Sequence, residues 1–351
     1  MFPTTIAVIF IVVIISLLQT TSYAQDRTLI SKVNPGCLDC NEDTTLVYVK
    51  AVGHSDTIHQ IWDFTRGAPT MIFVIAGVNS SIEVGWDGMK PNKFVMSEKP
   101  HYSFATAMDK LYEYNDLSDI GRIDWHMPQR IQTLKGVAWR MQDSTLTSKE
   151  AMVRMQGTLR DGYRRGIIDI KLDMLPYRDS AAQLPHLIHT ANSTSVDVSL
   201  VNVTTSRHYN SSRFALRVLL ASTDPSGGSM RTVTRKSLDD EHTPGVFEII
   251  EIKTPESFEN NAGGFVQFRP IAYTQSERGV ASSTVAHITD LERSFTIGYG
   301  SPPMESFSSL VIAIISVGLG VPVVLAMSGV VYVLLRRRRQ RNTPARLTEE
   351  D

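Results

Sequence analysis

The sequence predicts an all-β luminal ectodomain, built as an antiparallel β-sandwich, followed by one transmembrane α-helix. Two observations predict the sandwich: apolar and polar residues alternate in several short runs, and clusters of Gly, Pro, Asn, Asp and Ser separate these runs. A third observation predicts the helix, because one uncharged segment near the C-terminus is long enough to cross a bilayer.

The clearest alternation lies at residues 168–174, where Ile, Ile, Leu and Met alternate with Asp, Lys and Asp. Because successive side chains of a strand point to opposite faces of the sheet, this run predicts a half-buried strand. Comparable runs predict further strands at 46–49, 71–76, 196–200, 214–220, 246–252 and 265–268. Many short strands separated by turn residues favour an antiparallel sandwich.

Helical spacing is rarer. Residues 104–112 place Phe104, Met108, Leu111 and Tyr112 on one helical face, and we predict a short helix there. Residues 150–159 fit a helix and a strand equally well. A subdivision of the ectodomain near 176–185, where the sequence is polar and unpatterned, is one interpretation, and one continuous sandwich is the other.

Hydrophobic segments at both ends of the chain predict its topology. Residues 6–18 are apolar, and Ser22-Tyr23-Ala24 supplies small residues before a cleavage site, so we predict a signal peptide at 1–24 and a luminal glycosylated domain at 25–306. The uncharged stretch near the other end predicts a transmembrane helix within 307–335. A stop-transfer cluster follows it directly: Arg336, Arg337, Arg338 and Arg339. The tail at 336–351 is therefore expected in the cytoplasm, as in a single-pass type I protein.

Small residues in the predicted span suggest a partner within the membrane. The spacing of Ser316 and Gly320 would let another helix approach closely. The predicted helix-packing positions are Ser316, Gly318, Gly320 and Gly329. The alternative is that glycine is simply common in membrane helices.

The ectodomain carries two cysteines and four glycosylation sequons. In an oxidising lumen, the C-x-x-C spacing of Cys37 and Cys40 predicts a small-loop disulfide, because the contexts of a redox motif and of a zinc site are both lacking. The predicted N-glycosylation sites are Asn79, Asn192, Asn202 and Asn210. Such a group predicts a glycan coat that shields the backbone from proteases. Asn202 continues the apolar phase of 196–200, so the strand must end or twist before a glycan there.

No motif predicts an enzyme. The sequence contains no nucleophile elbow, HExxH motif, Walker loop or dinucleotide fingerprint, and we predict no catalytic, cofactor-binding or metal residues and no small-molecule substrate. Subtracting the six arginines and three acids of 336–351 from 35 bases and 36 acids leaves 29 and 33, a net charge of −4. Such a weak charge favours no nucleic-acid partner.

Three stretches resemble one family, and the match runs in order over most of the ectodomain. They are Ala51-Val-Gly53 with Ile58-His-Gln-Ile-Trp62 and Gly67-Ala-Pro69, then residues 237–247, then residues 265–275. The sequence looks like the glycosylated lysosomal membrane protein family. The resemblance implies a non-enzymatic accessory subunit of a lysosomal dipeptide transporter of the major facilitator superfamily. Its luminal domain would cover the transporter, protect it from luminal proteases and support its residence in the lysosome. Since the tail lacks tyrosine and dileucine, sorting would depend on that partner.

A cell-surface adhesion or receptor-like glycoprotein is the alternative function. It would share the sandwich, the glycans and the topology. Residence in the lysosome or at the plasma membrane distinguishes the two hypotheses.

Overall fold

The computed structural model describes residues 27–118, 123–159, 163, 166–175, 190–222, 231–238, 246–253, 263–268, 283–288, 292–300, 318, 322 and 325–338. These residues belong to two compact units, one within Ala24–Met304 and one containing the C-terminal helical residues, and each is described by itself. The predicted signal peptide and the predicted subdivision near 176–185 lie outside the described residues.

The first unit is built almost entirely of strands. In the described residues these are β1 Thr28–Val33, β2 Leu46–Val52, β3 Thr57–Asp63, β4 Thr70–Ala76, β5 Ile82–Asp87, β6 Lys90–Met96, β7 Tyr102–Asn115, β8 Arg130–Thr133, β9 Trp139–Leu146, β10 Ala151–Thr158, β11 Ile167–Met174, β12 Ser193–Val201, β13 Ser212–Ser222, β14 Arg231–Leu238, β15 Val246–Lys253, β16 Gly264–Phe268, β17 Ser283–Ile288 and β18 Glu292–Tyr299. A 3-10 turn at Leu134–Gly136 follows β8.

These strands form two large antiparallel sheets and one hairpin. The first sheet has the order β1-β2-β3-β4-β7-β13-β17, and β8 pairs with the second half of β7. The second sheet has the order β14-β15-β16-β18-β12-β11-β10-β9. Strands β5 and β6 pair only with each other.

The two sheets pack face to face around one hydrophobic core. The same buried cluster contains Trp62, Phe73 and Phe104 of the first sheet and Ile170, Val198 and Phe295 of the second. The sheets approach closely at Gly264, where an added Cβ would lie 2.8 Å from a ring carbon of Phe104. The predicted all-β class is therefore confirmed, and two antiparallel sheets share the core.

All seven alternating runs lie in strands, and the ambiguous segment 150–159 contains strand β10. Strand β11 shows why the pattern was informative, since Ile168, Ile170, Leu172 and Met174 are fully buried in the core. A half-buried strand such as β11 requires apolar side chains on one face only.

The helix predicted at 104–112 is wrong, because this segment lies within strand β7. The side chains at 102, 104, 106 and 108 are buried and alternate with more exposed neighbours. The pairing of β7 with β13 then shifts register at Asp109, opposite the step from Arg217 to Val218. The extra residue of this bulge puts Leu111 three positions after Met108, and that spacing imitates a helix.

The outer face of the first sheet is covered by two smaller elements. Ile82, Val84 and Trp86 of the hairpin pack on the buried Tyr48 and its apolar neighbours. Further along the same sheet, the connection after β7 covers a second buried cluster formed by Tyr112, Tyr114, Ile123 and Ala215.

The second unit contains an α-helix at 325–338, and its described side chains are exposed. Within the part of the chain that the structure describes, no helix has both the length and the apolar character needed to cross a membrane.

Candidate functional site

Two sequons, Asn79 and Asn192, lie at one end of the sandwich, which we call the Arg27 end. The antiparallel register places Thr57 opposite Ala76 there, so the turn before β3 adjoins the turn after β4 that carries Asn79. Asn79 is exposed in its turn. Asn192 is half-buried where β12 begins, and its carbonyl accepts from the backbone N–H of Tyr299 at 3.0 Å.

Arg27, the first described residue, contacts both the turn after β2 and the Asn192 sequon. Its side chain is 1% exposed, and Nη2 contacts Asp56 Oδ1 at 2.8 Å. Its Nε donates to Asn192 Oδ1 at 2.9 Å, across 165 positions of sequence. A Cβ on Gly53 would lie 2.6 Å from Arg27 Nη1 and 3.0 Å from Asp56 Oδ1, so a larger residue there would displace this ion pair. Arg27 therefore fixes the Asn192 sequon against the turn after β2.

The other two sequons lie at the opposite end, which we call the Arg130 end. Strand β12 stops at Val201, and Asn202 is exposed with φ +54°. This left-handed conformation, which asparagine tolerates better than most residues, turns the chain out of the sheet. Asn210 is also exposed, two residues before β13 begins. Asn202 thus leaves the apolar phase of its strand, as a glycan at this position requires.

A buried carboxylate holds the connection 202–211 against the first sheet. Glu113 of β7 has a side chain that is 0% exposed, and its Oε2 contacts Arg130 Nη1 at 3.0 Å. Its Oε1 accepts from the backbone N–H of Ser206 at 2.5 Å and from Ser212 Oγ at 3.0 Å. A carboxylate without solvent is stable only when it is paired and hydrogen-bonded, and this one has both kinds of partner.

Arg130 links Glu113 to the sequon connection from the other side. Its Nη1 donates to the carbonyl of Thr204 at 3.2 Å, within the Asn202 sequon. Its guanidinium carbon lies 4.0 Å from the centre of the Tyr163 ring. Burial raises the pKa of the Tyr163 phenol well above its ordinary value, so the ring stays neutral beneath the cation.

A third buried network fastens the Asn79 turn to the first sheet. His59 Nδ1 lies 2.8 Å from the hydroxyl of Tyr48, and Nε2 lies 2.7 Å from Ser80 Oγ. Ser80 Oγ donates to the carbonyl of Gly77 at 2.6 Å, so it accepts from Nε2–H and leaves Nδ1 to accept from Tyr48. A neutral imidazole therefore satisfies every hydrogen bond of this network.

The contact between Ser80 and His59 has the geometry of a nucleophile beside a base. Both side chains are completely buried, however, and the hydroxyl proton already has the Gly77 carbonyl as its acceptor. Substrate would have no approach to this hydroxyl across the described surface. The pair serves to fold the Asn79 turn onto β3 rather than to perform nucleophilic catalysis.

Acid is expected to weaken the fold through His59. Burial, followed by the charge of Lys50, lowers the pKa of His59 from 6.5 to about 4. The unfolded chain then binds a proton below pH 6.5 that the folded chain excludes until about pH 4. The stabilisation that neutral His59 contributes is fully present above pH 6.5. The free energy of unfolding falls by about 2 kcal/mol between pH 8 and pH 5. Denaturant unfolding at several pH values, followed by tryptophan fluorescence, measures the slope.

His59→Gln should remove this slope, although it also weakens the network at neutral pH. His54→Gln is the matched control, because His54 is exposed in the turn after β2. A His59→Gln protein that loses stability in acid as steeply as the unmodified protein would contradict this assignment.

Cys37 and Cys40 form a disulfide, with their Cα atoms 5.7 Å apart. Leu38 inside this small loop is almost fully exposed. Across the described residues, no cysteine is free and no group of three or more His, Cys, Asp or Glu side chains could hold a metal ion.

The membrane-segment positions are only partly described. Gly318 is helical, and Gly329 lies in the helix at 325–338 together with the first three arginines of the basic cluster, all exposed. Ser316, Gly320 and Arg339 lie outside the described residues. Helix packing, the stop-transfer role and the span at 307–335 therefore stay predictions.

Sequence reasoning missed the three buried networks that hold the sequon turns. One clue in the sequence is the polar pair His59 and Gln60 between two isoleucines in β3, and the structure buries both side chains fully. Gln60 Oε1 accepts from Thr194 Oγ1 at 2.8 Å, across the two sheets. Such partners are too distant in sequence for a local pattern to join them.

Comparisons with known proteins agree over nearly the whole chain. The family model described as "Glycosylated lysosomal membrane protein" matches residues 45–295 and 291–340. The chain is 24% identical to glycosylated lysosomal membrane protein A of Xenopus laevis, over 93% of this chain and 94% of the relative. It is 26% identical to the Danio rerio protein over 90% and 91%, and 22% identical to the Homo sapiens protein over 84% of each. The resemblance drawn from three sequence stretches is confirmed.

Proposed function

Since this chain belongs to the glycosylated lysosomal membrane protein family, we propose that it is a lysosomal membrane glycoprotein and the accessory subunit of a transporter. The transporter is of the major facilitator superfamily and exports dipeptides. The luminal domain covers it and protects it from luminal proteases, while the C-terminal helix packs against it in the bilayer. The subunit is a single-pass type I protein that catalyses no reaction itself.

One observation carries the protective role: the turns that bear the sequons are the same turns that buried ion pairs and hydrogen bonds hold in place. Proteases cut exposed, mobile loop tips. Here Arg27 with Asp56 fixes one end, and Glu113 with Arg130 fixes the other. Glycans at these ends would add bulk where cleavage otherwise begins.

Affinity purification from detergent-solubilised lysosomal membranes tests the partner. We expect a twelve-helix transporter in stoichiometric amount, and faster degradation of that transporter in cells that lack this chain. Purification of the chain alone, with the protein at the cell surface, would contradict the proposal and favour the adhesion function.

Removing three glycans should shorten the lifetime of the protein in lysosomes. The variants follow from the geometry of each sequon. Asn192→Asp keeps the oxygen that accepts from Arg27, and Thr204→Ala leaves Asn202 in its left-handed conformation. Asn210→Gln completes the set, since Ser212 is needed by Glu113. Pulse-chase labelling measures the half-life.

Thr204→Ser is the matched control, because it retains a sequon at Asn202. We expect its half-life to equal that of the unmodified protein. Unchanged turnover of the triple variant, with all three glycans shown to be absent, would contradict the shielding role.

A further inference from the structure

An exposed apolar surface lies at the Arg130 end, on the outer face of the first sheet. We call it the Trp125 patch, and it consists of Trp125, Met127 and Ile131, which are 44%, 47% and 53% exposed. The register places Ile131 opposite Tyr112, and the ring of Trp125 stands edge-on to Tyr112 with centroids 5.6 Å apart. Since Tyr112 is buried, the indole is held in place while part of it faces outward.

The sequon connection 202–211 is fastened directly beside this patch. The Tyr209 hydroxyl donates to the carbonyl of Pro128 at 3.0 Å, which joins the neighbour of Asn210 to the neighbour of Met127. The contact of Arg130 with the Thr204 carbonyl likewise joins the Asn202 sequon to the neighbour of Ile131. Both exposed asparagines are therefore anchored along the edge of the Trp125 patch.

We propose that the N-glycans on Asn202 and Asn210 fold back onto the Trp125 patch and cover it. The C–H faces of pyranose rings pack well on aromatic and aliphatic side chains, and the fixed indole offers such a surface without a large loss of conformational freedom. An apolar surface left open on a luminal protein would favour association or aggregation. A protein partner would first have to pass two branched glycans at the rim of the patch.

This inference rests on the glycosylation that the proposed function assumes. The test uses full-length protein purified in detergent, with peptide mass spectrometry to establish occupancy at Asn202 and Asn210. Hydroxyl-radical labelling then reports the accessibility of Trp125 and Met127. The folded protein is labelled before and after enzymatic removal of its glycans, which leaves all other residues unchanged.

We expect the labelling of Trp125 and Met127 to rise severalfold after deglycosylation, and to rise equally in a Thr204→Ala, Asn210→Gln protein. Asn79→Gln is the matched control, since Asn79 lies at the Arg27 end, and it should leave the labelling low. Equal labelling with and without glycans at occupied sites would overturn the inference. Labelling that stays low after deglycosylation would indicate a protein partner on the patch instead.

Bare asparagines at both positions would also overturn the inference. That result would remove only the glycan part of the proposed function, because co-purification tests the transporter partner separately.

Discussion

Replacing Arg130 with methionine is expected to lower the free energy of unfolding by about 3–5 kcal/mol, because it leaves a buried carboxylate without its cation. The Glu113 side chain is 0% exposed, whereas that of Arg130 is 26% exposed. Removing the arginine therefore leaves the Glu113 carboxylate buried, without its cation and without access to water. Methionine keeps much of the aliphatic stem. Denaturant unfolding followed by tryptophan fluorescence measures the change, and all four tryptophans lie between residues 62 and 139.

Arg140→Met is the matched control for this variant. Arg140 pairs with Asp43 at 2.9 Å, but these side chains are 73% and 61% exposed. A pair so open to water contributes less than about 1 kcal/mol. Equal losses for the two variants would show that the burial of Glu113 has no energetic consequence.

Asp56→Ala is expected to cost a similar amount at the other end of the sandwich, about 3–5 kcal/mol. The change leaves the Arg27 guanidinium buried with only neutral acceptors, among them Asn192 Oδ1. We expect the loss in denaturant unfolding, together with faster proteolysis at the N-terminal segment before β1.

A double variant tests whether the loss of stability comes from the buried Arg27 charge that Asp56→Ala leaves without an anion. Arg27→Met combined with Asp56→Ala removes both charges, so its loss should be smaller than the sum of the two single losses. Strict additivity would mean that the contact at 2.8 Å contributes nothing as a pair.

Sequence reasoning succeeds where a strand has one buried and one solvated face, as in β11. It fails for β7, because a single bulge residue at Asp109 shifts the phase of the buried side chains. It is silent on β3, where both faces are buried and polar side chains complete networks on each. A local pattern reflects which faces of one strand are buried. In β7 and β3 the burial of each side chain depends on neighbouring strands and turns.

The candidate site shows the same division. The four sequons could be read from short local motifs, and so could the pairing of Cys37 with Cys40. The grouping of the sequons at two ends could not, because it follows from strand order. Arg27 precedes β1 and Asn192 precedes β12, and no spacing in the sequence indicates their contact.

The position of β18 has a consequence for biosynthesis. This strand is the last in sequence among the described strands, yet it lies between β16 and β12 near the middle of the second sheet. Until it emerges from the ribosome, that sheet remains two separate halves with open inner edges. The second sheet is therefore expected to close only after residue 299 has been synthesised. Under the proposed glycosylation, the half-buried Asn192 would be open to oligosaccharyltransferase until β18 pairs beside it, and β18 follows about a hundred residues later in the chain.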